Sequence, residues 1–334
     1  MRTLWRALLG ISGLWLAASA CAAPPLLIFT GGVDKHIYLP ARLADKLGYF
    51  EEQGVPVRLA SEPSGVHAED VLLVGAAQGV IGAYDHTLDL QARGKAVQAV
   101  ALLTLSPGEV ELVSTRLAPV IRSPAQFKGR RLGVTGLGSS THFLTQYLAS
   151  LHELKPADYR VLPVGSGDSF VNAMRQGRID AGMTTEPTAS RLISAGEAQV
   201  LVDLRTPDAV RQALGGVYPF ACLYLQTAWV NSHRQEVQGL VNALVKALRF
   251  IQTHSAEDIV AQLGLADEAQ ARAAYVQSLK DSKSMFSPDG FMPEAGPPMV
   301  LKVMSAVNRS VREKNIDLGK TYTSEFVRHA ASLP

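Results

Sequence analysis

Short apolar runs alternate with helix-like periodicities through the first two thirds of the chain, and this alternation limits the fold more than any other feature. Residues 26–30 form an apolar run, residues 39–50 carry leucines at four-residue spacing, and residues 55–59 place apolar side chains at alternate positions. Further strands are predicted at residues 80–83, 97–105 and 110–114. Strands that alternate with helices form largely parallel sheets covered by helices, so we predict an α/β fold.

A second unit of the same kind begins near Ser123. It has predicted strands at residues 131–134, 159–164, 179–184 and 199–202, and predicted helices at residues 141–152 and 169–176. The last third differs, because residues 237–251 follow the i, i+3, i+4 spacing of a long amphipathic helix and residues 299–312 predict another. Capping boxes are predicted at Ser232 with Gln235 and at Ser255 with Asp258. We therefore expect two α/β units followed by helical packing.

The two units carry a weak internal repeat. Residues 177–186 align with residues 75–84, and each segment is a helix-ending glycine, then a strand, then polar residues. Ligands of open α/β sheets bind at the carboxyl ends of the strands. We therefore expect Tyr84-Asp85-His86 and Thr184-Thr185-Glu186 to face each other from two lobes.

The first 22 residues predict a secretory signal peptide that is removed after export. Arg2 and Arg6 precede an apolar stretch and a cluster of small residues around Cys21. Two alternatives remain open, an uncleaved membrane anchor and lipidation of Cys21 as in bacterial lipoproteins. Removal of residues 1–22 deletes two arginines and no acids, so the net charge falls from +2 to 0. It also leaves Cys222, in an apolar run, as the single thiol, which predicts a buried side chain and no disulfide.

Composition excludes two broad classes of protein. Apolar residues make up 47% of the chain and the formal net charge is +2, a balance that does not suit a disordered chain. Neither sign of charge forms a long run, so no nucleic-acid-binding surface is predicted. The histidines have no metal-binding spacing, and the glycines match neither a phosphate loop nor a dinucleotide fingerprint. No metal and no cofactor is therefore expected.

Three segments resemble the nitrate/sulfonate/taurine substrate-binding proteins of bacterial ABC importers. They are residues 38–55 (YLPARLADKLGYFEEQGV), residues 123–134 (SPAQFKGRRLGV) with 138–142 (GSSTH), and residues 171–182 (VNAMRQGRIDAG) with Glu186-Pro187. The resemblance runs in order from about residue 26 to residue 330. The chain departs from the family pattern at residues 75–78, where Gly-Ala-Ala-Gln replaces the usual Gly-x-Ile-Asp.

The resemblance implies a type II periplasmic-binding-protein fold, with two α/β lobes, a ligand cleft between them and a helical C-terminal region. It places residues 24–115 plus 222–334 in lobe one and residues 116–221 in lobe two. It further implies a periplasmic monomer that captures a small molecule and delivers it to the membrane permease of an ABC importer.

Candidate ligand contacts follow from this placement of the cleft. The loop at residues 136–141 combines glycines with hydroxyl side chains at a helix N-terminus, an arrangement that favours an anion such as a sulfonate, nitrate or organic acid. Acidic residues nearby would repel an anion, so a pyrimidine or another aromatic ring compound remains an alternative ligand. The predicted contacts are His36, Tyr84, Asp85, Gly138, Ser139, Ser140, Thr141, His142, Thr185 and Glu186.

The sequence leaves two other functions open. An exported partner that presents its ligand to a membrane sensor would have the same sequence features. The fold family also includes thiamine-pyrimidine synthases, which use a cysteine-rich segment with iron and a pyridoxal cofactor. This chain has two cysteines, far apart, and no nucleophile elbow, so we predict that it is not an enzyme.

Overall fold

The structure is a computed structural model that describes residues 24–264 and 269–332. The predicted signal peptide, with Cys21, lies outside the described residues. Within the described ranges, no helix combines the length and apolar character needed to cross a membrane.

The strands form two five-stranded sheets with the same arrangement. The strand order is β2-β1-β3-β10-β4 in the first sheet and β7-β6-β8-β5-β9 in the second. In each sheet four strands run in the same direction, and the strand in the fourth place runs antiparallel to both of its neighbours. The strands are β1 (Leu26–Thr30), β2 (Val57–Ser61), β3 (Gly79–Ala83), β4 (Val97–Leu102), β5 (Glu109–Ser114), β6 (Arg131–Val134), β7 (Arg160–Pro163), β8 (Ala181–Thr185), β9 (Ala198–Leu204) and β10 (Ala221–Gln226).

The predicted internal repeat is confirmed by the two sheets. Its two segments contain β3 and β8, and each of these strands is the third in its sheet. All five residues of β3 and all five of β8 are buried, as expected for strands covered on both faces. The carboxyl ends of β3 and β8 therefore occupy equivalent places in the two lobes.

The helices cover both sheets and make up the C-terminal part of the chain. They are α1 (Leu39–Lys46), α2 (Tyr49–Glu52), α3 (Gly65–Leu73), α4 (Asp85–Ala92), α5 (Ser140–Ser150), α6 (Asp168–Arg175), α7 (Thr188–Ser194), α8 (Pro207–Leu214), α9 (Thr227–Ser232), α10 (Arg234–Thr253), α11 (Ala256–Gln262), α12 (Ala269–Ser282), α13 (Gly296–Val307), α14 (Arg309–Glu313) and α15 (Glu325–Ala331).

Two predicted helices are each divided in the structure, and one of the two predicted capping boxes is wrong. Gly48 in the left-handed region (φ 71°) separates α1 from α2, and Asn308 separates α13 from α14. The box at Ser255 and Asp258 forms, because each backbone N–H donates to the other side chain at 3.1 Å. Ser232 caps nothing, because its hydroxyl donates back to the carbonyl of Ala228 and α10 begins after His233.

The boundary predicted after residue 115 needs correction at one strand. β5 lies in the second sheet, between β8 and β9, and not in the first lobe. Its residues are buried on both faces, so their pattern did not indicate which sheet they join. The chain crosses between the lobes in residues 103–108 and again in residues 205–220. We call the part built on the first sheet the first lobe and the part built on the second sheet the second lobe.

An apolar contact joins the lobes along one side. α5 of the second lobe packs against α13 of the C-terminal region, and Phe143, Leu144 and Tyr147 belong to the same buried cluster as the core of the first lobe. A contact of this kind restrains the side of the molecule on which it lies. Opening of the lobes is therefore expected on the opposite side.

Candidate functional site

A small cavity lies between the lobes, at the carboxyl ends of β3 and β8. Its free volume is about 20 Å³, which is room for about one water molecule. The described lobes are thus in contact around it. The first lobe and the second crossover line it with Lys35, Ile37, Tyr38, Gly65, Ala83, His86 and Phe220. The second lobe lines it with Glu109, Thr135, Ser139, Ser140, Thr141 and Thr185.

A wider opening lies outside this cavity, and Lys35 borders both. The opening has a volume of about 320 Å³ and lies between residues 32–35 of the first lobe and residues 166–168 and 187–191 of the second. We call it the vestibule. A larger groove of about 420 Å³ lies along residues 91–98 and 315–320, but the first lobe alone forms it. The vestibule and the cavity, which both lobes line, are therefore the better candidate site.

Hydroxyl groups at the start of α5 form a closed cluster. The Thr135 hydroxyl lies 2.9 Å from Thr141 Oγ1 and donates to Ser139 Oγ at 3.2 Å. Ser139 Oγ also donates to the Gly136 carbonyl at 2.7 Å. The sequence predicted Ser139 and Thr141 at the cleft, and both line the cavity. Both hydroxyls already take part in hydrogen bonds within this cluster.

Asp85 links the two lobes. It begins α4 directly after β3, is fully buried, and accepts a hydrogen bond of 2.7 Å from Ser140 Oγ of the second lobe. Tyr218, in the second crossover, donates its hydroxyl to the other carboxylate oxygen at 3.1 Å. Burial raises the pKa of Asp85, and the two donated hydrogen bonds oppose that rise. Asp85 and Ser140, both predicted site residues, thus meet as a polar contact across the closed cleft.

Glu109 and Lys35 are the charged residues that line the cavity itself. Glu109 begins β5 and is 2% exposed, and its Oε2 has no hydrogen-bond partner among the described residues. Burial, with the nearby Asp85 carboxylate, raises the pKa of Glu109 well above its usual value. Burial lowers the pKa of Lys35 to about 8, and the attraction of Glu109 opposes this shift. Within the described ranges Lys35 forms no ion pair inside 4 Å, so the two groups attract each other at longer range.

His86 lines the cavity next to a buried ion pair. Its Nδ1 lies 3.6 Å from the buried Glu69, which pairs with the partly exposed Arg93. Its Nε2 is 3.9 Å from Asp85 and has no hydrogen-bond partner among the described residues. The hydroxyl of Thr185, at the end of β8, also has no hydrogen-bond partner among the described residues. Buried polar atoms without a partner are rare, and here Glu109, His86 and Thr185 all border one cavity. These three atoms are available to a molecule bound at the cavity.

Three predicted contacts face away from the cavity. The ring of His36 packs on Tyr275 of α12, with centroids 4.4 Å apart, and burial lowers the pKa of His36 to about 3. The Tyr84 hydroxyl bonds to Thr321 at 2.5 Å. Glu186 pairs with Arg205 at 2.9 Å. These corrections share one cause: each side chain turns toward a partner from a crossover or from the C-terminal helical region, a choice that the local sequence did not show.

Two predicted residues, Gly138 and His142, support the cavity wall without lining it. The Gly138 backbone N–H donates to His142 Nδ1 at 3.0 Å, and Gly138 adopts a positive φ of 85° that favours glycine. Burial lowers the pKa of His142, which keeps its ring neutral and able to accept this bond. Both residues shape the loop that positions Ser139 and Ser140.

Sequence reasoning missed Lys35 and Glu109 as cavity residues, and it placed His86 at the cleft without naming it as a ligand contact. For Glu109 a signal was present, because Glu109 and Glu111 interrupt an apolar strand at alternate positions and therefore share one face. A charged residue on a buried strand needs a partner. For Lys35 the sequence offered no comparable signal. Among the described residues, no group of three or more His, Cys, Asp or Glu is placed to hold a metal ion.

Glu111 makes folding stability depend on pH. It is fully buried, accepts a 2.8 Å hydrogen bond from Thr145, and burial raises its pKa to about 8. The unfolded chain loses this proton near pH 4.5, whereas the folded protein keeps it up to about pH 8. Stability supplied by the protonated carboxyl is therefore lost as pH rises toward 8. Burial lowers the pKa of His36 to about 3, so His36 opposes this trend only below about pH 6.5.

We expect the free energy of unfolding to fall by about 2 kcal/mol between pH 6.5 and pH 8 because of Glu111. In the variant Glu111→Gln, the free energy of unfolding should depend less steeply on pH over this window. The difference should correspond to about one fewer proton released on unfolding. Urea unfolding at several pH values measures both. An unchanged slope in the variant would show that Glu111 is ionised in the folded protein throughout the window.

The fold and the site define a class of protein before any relative is considered. Two similar α/β lobes, joined by two crossovers and closed on a polar cavity, form the type II periplasmic-binding-protein fold. The chain matches the model of the family described as NMT1/THI5 like over residues 37–257. It belongs to this family.

Solved structures agree with this fold over most of the chain. A protein from Bordetella bronchiseptica RB50 has a TM-score of 0.85 and 35% identity and covers 92% of this chain and 96% of its own. The alkanesulfonate-binding protein SsuA from Xanthomonas axonopodis pv. citri, bound to MOPS, has a TM-score of 0.68 and 19% identity. The match covers 91% of this chain and 100% of that protein. A protein from Methylobacillus flagellatus KT, described as a putative sulfonate ABC transporter, periplasmic sulfonate-binding protein SsuA, has a TM-score of 0.64 and 14% identity. The match covers 92% of this chain and 94% of that protein.

Among curated proteins the chain is similar to a yeast enzyme. The 4-amino-5-hydroxymethyl-2-methylpyrimidine phosphate synthase THI13 of Saccharomyces cerevisiae is 28% identical over 151 residues. The match covers 45% of this chain and 42% of the synthase, so the chain spans less than half the length of this curated relative.

Proposed function

We propose that this protein is an extracytoplasmic solute-binding receptor that captures a small molecule between its lobes and delivers it to an ABC importer. The observation that carries the proposal is the cavity, which both lobes line and where polar atoms of Glu109, His86 and Thr185 have no partner among the described residues. The fold and the periplasmic binding proteins that share it support the same function.

Binding and closure are one event in this mechanism. With the lobes apart, the cavity joins the vestibule and a solute enters. When the lobes close on a solute, contacts from Glu109 and Thr185 on one side and His86 on the other hold it, and the solute keeps the cavity wider than the roughly 20 Å³ of the structure described here, in which Ser140 donates to Asp85. A ligand that both lobes contact binds the closed form more tightly and shifts the population toward it. The importer then recognises the closed form. No covalent step is required.

We propose a receptor and not a synthase, although the yeast relative is named as one. Cys222 is the free thiol among the described residues, and it is fully buried in β10. Burial raises the pKa of this thiol, so it is a poor nucleophile. The side chains at the cavity are instead suited to binding, because hydroxyl, imidazole and carboxyl groups hold a solute by hydrogen bonds.

Cell fractionation and an uptake assay test this function. The full chain should be found in the periplasmic fraction, and a chain that lacks residues 1–22 should remain in the cytoplasm. Cells without the protein should lose uptake of the solute that the purified protein binds, and the full chain should restore it. Retention of the full chain in the cytoplasm, or unchanged uptake in its absence, would contradict the proposal.

A further inference from the structure

We propose that the end of the second lobe farthest from the cleft binds the surface of a membrane that contains anionic phospholipids. Four segments form this end, residues 114–131, 150–160, 175–180 and 194–198, and they lead into the amino ends of β6, β7, β8 and β9. We call it the basic pole. The inference goes beyond the proposed receptor function, because the cavity lies at the opposite ends of these strands.

Positive charge is concentrated at the basic pole. Its four segments contain nine arginines and lysines and four acidic residues, a net charge of +5, whereas the mature chain as a whole is neutral. The remainder of the mature chain therefore carries a net charge of −5. The excess comes from residues 114–131, which contain five basic residues and no acid. Charge is thus separated along the molecule, and the pole attracts anionic surfaces although the protein is not basic.

Folding brings these basic residues together from separate parts of the chain. The backbone N–H of Arg160 donates to the carbonyl of Arg130 at 2.8 Å, so the segments that begin β6 and β7 lie side by side. The guanidinium of Arg116 lies against Gly177, next to Arg178, because a Cβ on this glycine would be 3.1 Å from the arginine nitrogen. The sequence shows no long run of one charge because the cluster forms only when the sheet is assembled.

Most of the cations of the basic pole have no acidic partner in the protein. Arg131 pairs with Asp180, and Arg175 pairs with Glu197. The Nε of Arg130 is buried and has no hydrogen-bond partner among the described residues. No ion pair within 4 Å is formed, among the described residues, by the exposed Arg116, Arg122, Lys128, Arg160 and Arg178. Neighbouring like charges repel one another, so an external anionic surface stabilises this cluster.

Exposed apolar side chains beside the cations favour a membrane over an acidic protein. Val120 is 54% exposed and Leu151 is 50% exposed. Val120 precedes the buried Ile121, and Leu151 follows α5, whose Ala149 belongs to the same apolar cluster as Ile121. The two exposed side chains therefore belong to one face of the lobe. Binding to a lipid surface gains both from buried apolar area and from attraction to anionic headgroups.

Vesicle binding by the full mature chain tests the proposal. The protein should bind vesicles of equal parts phosphatidylglycerol and phosphatidylcholine at low salt, and it should be released as salt screens the charges. It should not bind vesicles of phosphatidylcholine alone. The triple variant Arg116→Gln, Lys128→Gln, Arg160→Gln should bind the mixed vesicles roughly a hundredfold more weakly, because each Lys or Arg near an anionic bilayer contributes about a factor of five.

The matched control is the triple variant Arg58→Gln, Lys302→Gln, Arg328→Gln, which removes the same charge outside the basic pole. These three side chains are also exposed and form no ion pair within 4 Å among the described residues. The control should bind the mixed vesicles as the unmodified protein does, and both triple variants should keep its unfolding temperature and its solute affinity. Equal weakening in the two variants, or equal binding to phosphatidylcholine vesicles, would overturn the proposal. Absence of vesicle binding would overturn it too, even if an acidic protein binds the pole, and would leave the receptor function intact.

A tryptophan reporter tests which end of the molecule meets the membrane. In Val120→Trp the added indole should move from water into the lipid interface, so its emission should shift to shorter wavelength with the mixed vesicles. In Val74→Trp, at a first-lobe position that is 80% exposed, we expect no shift. Both variants keep Trp229, the single tryptophan of the mature chain, as a common background. A shift in Val74→Trp, or none in Val120→Trp, would contradict binding through the basic pole.

Discussion

In the variant Ser140→Ala the lobes should favour the open state, and solute affinity should fall roughly ten- to a hundredfold. Ser140 donates a 2.7 Å hydrogen bond from the second lobe to the buried Asp85 of the first. Its loss leaves a buried carboxylate oxygen without that donor in the closed state, which costs about 1–3 kcal/mol. In the open state water replaces the bond. The closed state alone is therefore destabilised, and apparent affinity falls with its population.

Thr145→Val is the matched control for this prediction. Thr145 also donates to a buried carboxyl, that of Glu111, but both residues lie in the second lobe. Its loss should lower the free energy of unfolding without changing the balance between open and closed lobes. Small-angle scattering measures that balance, and titration with the solute recovered from the purified protein measures affinity. If Ser140→Ala and Thr145→Val have equal effects on the lobe balance, Asp85 and Ser140 do not act as an interlobe contact.

Gly31→Ala should destabilise the first lobe by about 3 kcal/mol and weaken solute binding with it. Gly31 follows β1 and lies against the backbone at the start of α3. A Cβ at this position would overlap the nitrogen of Gly65 and lie 2.5 Å from the carbonyl carbon of Ser64 and 2.6 Å from Gly65 Cα. Backbone atoms cannot rotate away as a side chain does, so α3 must shift. Gly65 lines the cavity, so the shift changes the site as well.

Gly216→Ala provides the comparison. Its added Cβ would meet the side chain of Met299, with Sδ at 3.1 Å, and a methionine side chain can change rotamer. We expect a loss of less than about 1 kcal/mol there. Urea unfolding of both variants gives the two values. If the Gly31→Ala protein were as stable as the Gly216→Ala protein, the backbone near Gly65 would have to shift at little cost in free energy, which contradicts this prediction.

The two sheets were predictable because their signal is local and repeated. Strands β1 and β6, for example, were predicted from the sequence with the same bounds as in the structure. The equivalence of β3 and β8 followed from a glycine, a strand and polar residues in the same order. The sheet to which β5 belongs was not predictable, because a strand buried on both faces fits either sheet.

The site was predicted less well because side-chain direction depends on distant partners. His36 and Tyr84 lie in segments that adjoin the cleft, but Tyr275 and Thr321, both more than two hundred residues away, hold their side chains elsewhere. The cluster at Ser139–Thr141 was located from its own sequence, whereas its internal hydrogen bonds were not. The contacts within this cluster were therefore missed, and so was the acidic residue Glu109, which lines the same cavity.

Native mass spectrometry of the freshly purified mature protein tests most directly whether this molecule holds a solute and releases it intact. The account predicts a polypeptide that carries one small molecule, and that molecule should keep the same mass after release from unfolded protein and after long incubation. A polypeptide with nothing bound, even after exposure to the organism's small molecules, would contradict the account. So would a bound compound whose mass changes with time on the protein.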